Sequence, residues 1–144
     1  MYTPARSLRW VAAAAVTVSA LLHLKMWFDG VRHQSVGPPF MLNAIGGIVI
    51  AALLITWKHW APPLLAVGFG LSTLGAFTIA ATVGLMGDHE HWVGGYVWTA
   101  AISEGVAVVA GLVASYREGL LSRLLGGSTG LGVRSVVPPL ASRR

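Results

Sequence analysis

The sequence predicts an all-α integral membrane protein: an antiparallel four-transmembrane-helix bundle with both termini cytoplasmic. Three observations predict it. Charged residues make up only 10% of the chain and hydrophobic ones 55%, whereas a soluble domain carries about 25% charged residues. The mean hydropathy is positive, +0.69. Four apolar segments also reach the roughly 20 residues that a helix needs to cross the hydrocarbon core.

The first span is expected at about residues 10–28 and ends where Asp29-Gly30 interrupts the apolar run. The second, about 40–57, follows Gly37-Pro38-Pro39, and the third, about 64–86, follows Ala61-Pro62-Pro63. Paired prolines suit the first turn of a helix, where a missing N–H leaves no hydrogen bond unmade. The third span is expected to stop at Gly87, in the stretch Gly87-Asp88-His89-Glu90-His91-Trp92. The fourth, about 96–116, lies between Gly94-Gly95 and Arg117-Glu118-Gly119. Residues 1–118 thus form the transmembrane domain, and 119–144 a basic cytoplasmic tail rich in Gly and Pro. A short amphipathic extension over Leu120–Leu125 is expected, with little regular structure beyond Gly126 unless a partner holds it.

Tryptophan and the basic residues give the orientation. Trp10, Trp57 and Trp60 mark one set of segment ends, and Trp27, Trp92 and Trp98 the other, the placement of an interfacial aromatic belt. Eight of the ten Lys and Arg residues (Arg6, Arg9, Lys58, Arg117, Arg123, Arg134, Arg143 and Arg144) share the side of the termini. The positive-inside rule puts that side in the cytoplasm. This asymmetry accounts for the net charge of +5 without nucleic acid as a partner, and anionic lipid headgroups suit the basic ends. Arg6, Arg9 and the apolar run after them also have the outline of a cleavable leader, with Val18-Ser19-Ala20 as its processing site. The run continues to Phe28, however, which predicts a span.

Small residues at helical spacing predict how the helices pack. The expected seams are Asn43, Gly46/Gly47 and Ala51 on the second helix, and Gly68, Leu71/Ser72, Gly75, Thr78 and Thr82 on the third. On the fourth they are Ala101, Glu104, Ala107, Gly111 and Ser115.

The residues able to carry chemistry gather toward the external side. Glu104 lies about eight residues inside the fourth span, roughly 12 Å deep at 1.5 Å per residue. A carboxyl there is costly in lipid and is expected to face the bundle interior, paired or functional. His23, near the external end of the first helix, and Asn43, one turn into the second, reach similar depth. Together they predict an intramembrane polar network of His23, Asn43 and Glu104. Above it lie His33, Asp88, His89, Glu90 and His91. With His23 these form a candidate metal set of imidazole and carboxylate donors, which suits copper or zinc. His89 and His91 would diverge by about 200° on a helix but point the same way on an extended loop. A plain solvated turn is the simpler account of these loop residues. The absence of cysteine excludes disulfides, thiolate sites and iron–sulfur clusters. Haem is not expected, because only His23 lies clearly within a span and a second axial ligand would have to come from a loop. No nucleophile-elbow motif appears, so catalysis is not expected.

The run from Leu22 to Gly47, LHLKMWFDGVRHQSVGPPFMLNAIGG, resembles a segment of an uncharacterised family of small four-helix membrane proteins of high-GC bacteria. His23, Trp27, Asp29-Gly30, Arg32, Gly37-Pro38 and Leu42-Asn43-Ala44 carry the resemblance. In size and topology the chain is more distantly similar to DoxX-like proteins, some of them linked to quinone-dependent oxidoreductases. The resemblance implies a multi-pass protein of a bacterial inner membrane. Three functional readings stay open. The favoured one is a non-catalytic accessory or structural subunit of a larger membrane complex, which an oxidoreductase would fit. Its partners would be other membrane subunits or further copies of itself. The second is a redox or metal-handling protein using the external His/carboxylate cluster. The third is a small proton-coupled transporter using Glu104.

Overall fold

The computed structural model describes residues 5–87, 89–120 and 122. Four α-helices follow one another: α1, Arg6–Phe28; α2, Gly37–Thr56; α3, Ala61–Thr82; and α4, Gly95–Arg117. A single 3₁₀ turn, Val31–His33, links the first two. All four helices are long and apolar enough to cross a membrane. Both proline pairs open their helices as expected. Helices α2 and α3 therefore begin about three residues earlier than apolar content alone suggests, because Gly37-Pro38 and Ala61-Pro62 belong to the first turn. The tail expected over 119–144 lies outside the described residues except for Gly119, Leu120 and Ser122.

Helix α3 ends at Thr82, not at Gly87. Gly84, Met86 and Gly87 all have positive φ (86°, 53° and 90°), a conformation that cannot continue a right-handed helix. The chain folds back there, and the Glu90 amide donates to the Ala80 carbonyl at 3.2 Å. Gly84 is required at this reversal. A Cβ on it would stand 2.7 Å from Cε1 of His89, whose ring lies across the turn.

The four helices share one core in which small side chains dominate. Ala12, Ala13 and Val16 of α1 meet Ala51 and Leu54 of α2, Ala66 and Phe69 of α3, and Ala107 and Ala110 of α4. The large apolar side chains point the other way: Leu42 is 72% exposed, and Val109 and Ile102 each 63%. A water-soluble protein does not leave so much contiguous apolar surface uncovered. Lipid-exposed helices do so, and associate through close contact of small residues.

Helix α1 packs along α2 and α4, and α3 packs along α4; α2 and α3 touch far less. Close approach is set by three glycines. A Cβ on Gly47 would stand 2.7 Å from Ala20 Cβ, one on Gly70 2.7 Å from the Glu104 carbonyl oxygen, and one on Gly111 2.6 Å from the Pro63 carbonyl oxygen. Gly111 and Gly47 belong to the expected seams. The seam expected on α3 does not pack: Gly68 and Gly75 face open space, and the hydroxyls of Thr78 and Thr82 bond back to their own helix. The contact face of α3 is instead Pro63, Ala66, Val67 and Gly70. Two stripes of small residues run along this helix, and only the position of α4 selects between them.

Candidate functional site

Ser19 is the centre of the polar interior. One turn before His23 on α1, it is fully buried, as is Glu104 at 2% exposure. Its hydroxyl donates to Oε1 of Glu104 at 2.8 Å. His23 and Glu104, expected at similar depth, do not bond to each other: Ser19 contacts both. His23 Nδ1 lies 2.8 Å from the Ser19 carbonyl oxygen and 3.4 Å from the Ser19 hydroxyl. Behind Glu104, α3 passes so close to α4 that a Cβ on Gly70 would stand 2.7 Å from the Glu104 carbonyl oxygen.

Serine, histidine and acid thus meet, but not as a nucleophilic relay. Such a relay needs the imidazole between hydroxyl and acid, taking the hydroxyl proton. Here the hydroxyl is spent directly on the acid, and the imidazole nitrogen nearest to it faces a carbonyl. The trio bonds α1 to α4.

Asn43 does not join this network. Thr73 of α3 approaches its Oδ1 at 3.4 Å, and its Nδ2 is buried with no partner. Asn43 therefore belongs to a different feature, a cavity of about 840 Å³ between α2 and α3. Its wall is mainly apolar and includes Phe40, Phe69 and Phe77, with His23, Asn43, Ser72 and Thr73 as polar members. It exists because α2 and α3 are held apart while Gly68, on its wall, contributes no side chain. A second space of about 40 Å³ lies against Glu104 and shares His23, Phe40, Thr73 and Phe77 with the first. The His23 ring, tilted against Phe40 with centroids 5.0 Å apart, borders both spaces.

The residues expected above the membrane are spread apart. His33 is exposed, and its Nε2 accepts from Arg32 Nε at 3.0 Å. His89 lies over Gly84 at the end of α3. His91 is exposed and Glu90 half-buried. Asp88 lies outside the described residues. Among the described residues no three His, Asp or Glu side chains come close enough to hold a metal ion. Trp92 and Trp98, expected at an interface, also pack on each other and, through Trp92, on Phe77 of α3 at 4.5 Å.

At the opposite end of the helices Arg9 makes a site that charge counting does not reveal. Its guanidinium is buried and donates to the carbonyls of Leu54 at 2.8 Å and His59 at 2.9 Å, to that of Trp57, and to the Glu118 carboxylate at 2.7 Å. These carbonyls belong to the end of α2 and the loop after it, where helical partners run out. A planar fork of donors is suited to this convergence. The start of α1, the end of α2 and the end of α4 are thereby fastened at one point. The only local signal was the presence of a cation near the start of one apolar segment and of an acid just past another. Nothing in the linear order linked them.

Compared with family models, with curated proteins and with solved structures, the chain finds no match.

Proposed function

We propose that this chain is a multi-pass protein of a bacterial inner membrane, its four helices antiparallel and both termini cytoplasmic, that holds one lipid-soluble molecule between α2 and α3. In this reading it is a non-catalytic membrane subunit, and a larger membrane complex is the natural consumer of what it holds. The cavity carries the reading: about 840 Å³, bounded by aromatic and aliphatic side chains, within the usual range for small-molecule sites of about 300–1,000 Å³. A few polar groups on a largely apolar wall are the pattern of a site that orients a ligand by its head. His23, Asn43, Ser72 and Thr73 supply them. The three-dimensional separation of His33, His89 and His91 gives the metal-handling alternative no comparable support.

Native mass spectrometry after incubation with total membrane lipid extract is the direct test. The wild-type chain is expected to retain a single lipid-soluble molecule. Gly68→Phe, at a cavity-wall position where an added Cβ meets nothing within 4 Å, is expected to fill the space and lose the ligand while melting at an unchanged temperature. A wild-type chain that emerges bare would sink the reading.

A further inference from the structure

The cavity wall distinguishes between kinds of head group. His23 is buried, only 8% exposed. A backbone carbonyl only accepts hydrogen bonds, so the 2.8 Å contact of Nδ1 with the Ser19 carbonyl puts the hydrogen of the neutral ring on Nδ1. Nε2, on the far edge, then carries a lone pair and has no partner among the described residues. Asn43 adds a second need. Thr73 gives its hydroxyl hydrogen to the Phe69 carbonyl at 2.8 Å, so its 3.4 Å contact with the Asn43 amide leaves that amide short of a partner in either orientation.

Resting on the reading of the cavity as a ligand site, we propose that its ligand is a long apolar molecule headed by a neutral hydroxyl, which donates to His23 Nε2. A hydroxyl both donates and accepts, so its one hydrogen meets the His23 lone pair while its oxygen can receive the unpartnered Asn43 Nδ2. A carbonyl head sets its lone pairs against that of Nε2 and leaves the imidazole unsatisfied. A carboxylate does the same and adds a charge in a site with no free cation on its wall. An ammonium head would donate, but its charge finds no carboxylate among the residues of the cavity wall.

Farnesol, farnesal and a hydrocarbon of the same chain length, titrated into the purified full chain in nanodiscs, separate the possibilities. Farnesol is expected to bind about tenfold tighter than farnesal, the ratio that one well-made hydrogen bond supports. His23→Phe is expected to abolish that preference while keeping apolar binding. Because this variant could misfold, ¹⁵N spectra of imidazole-labelled wild type give an independent readout. Nε2 should resonate as an unprotonated nitrogen and shift with farnesol but not with the hydrocarbon. Farnesal binding as tightly as farnesol, or a protonated Nε2, would overturn the hydroxyl assignment and leave the cavity reading standing. Failure of all three probes to bind would overturn both.

Discussion

Ser19 and Arg9 show how much single polar side chains decide in an apolar bundle. Where lipid surrounds a bundle, a buried donor depends on an acceptor within the protein, and a partner lost is a group left bare. Ser19→Ala removes the 2.8 Å donor to Glu104 and is expected to destabilise the chain by about 1–3 kcal/mol. Glu104→Gln keeps an oxygen to receive that hydroxyl and should cost under about 1 kcal/mol. Melting of the purified variants in detergent checks the order, and a Glu104→Gln loss larger than that of Ser19→Ala contradicts it. Arg9→Ala should cost more, about 3–5 kcal/mol, because it strands the Glu118 carboxylate and three carbonyls together. Arg9→Lys is not expected to restore it, since one ammonium cannot reach four separated acceptors. These roles were only half legible. Glu104 announced itself as an acid deep in a span. Ser19 looked like any serine on a small-residue helix, and the buried Arg9 like any cytoplasmic cation.

The helices themselves were readable from composition, since about 20 apolar residues between breakers permit little else in lipid. Their faces were not. Each helix is apolar on every side, so periodicity does not mark which stripe turns inward, and α3 shows the consequence. Gly70→Ala, with backbone and side-chain atoms of α4 only 2.7 Å from the new carbon, is expected to separate α3 from α4 and lower stability by about 1–3 kcal/mol. Gly75→Ala meets nothing within 4 Å and should be neutral or slightly stabilising, because alanine is the better helix former. Equal melting temperatures for the two variants would show that the contact face of α3 is misassigned. The end of α3 escapes hydropathy for a related reason. Hydropathy continues through Val83, Leu85 and Met86, but the backbone has already turned at Gly84.

For the whole molecule, the proposed orientation makes a clean prediction, because the chain has no cysteine to confuse labelling. Ser35→Cys and Lys58→Cys both place a thiol at an exposed position, on opposite sides in the proposed topology. A membrane-impermeant maleimide applied to spheroplasts should modify Ser35→Cys alone, and Lys58→Cys only after the membrane is permeabilised. The reverse pattern would invert the protein and with it the side from which the His23 end of the cavity is reached. The convergence of Arg9, Leu54, His59 and Glu118 supports the same alternation of helix directions.

Composition and spacing were enough for the class of the protein, all-helical with four helices long and apolar enough to cross a membrane, and for singling out His23 and Glu104 within two of them. Length, hydropathy and charge suffice for that because the bilayer imposes them on any chain that crosses it. Only the tertiary structure decided what those residues do together. It put Ser19 between His23 and Glu104, moved Asn43 to another wall, separated the loop histidines and opened the space between α2 and α3. The physical reason is that lipid is as apolar as the helices it surrounds, so hydropathy cannot say which face of a helix meets a neighbour. That choice falls to the close approach of a few glycines and to the need of each buried polar group for a partner.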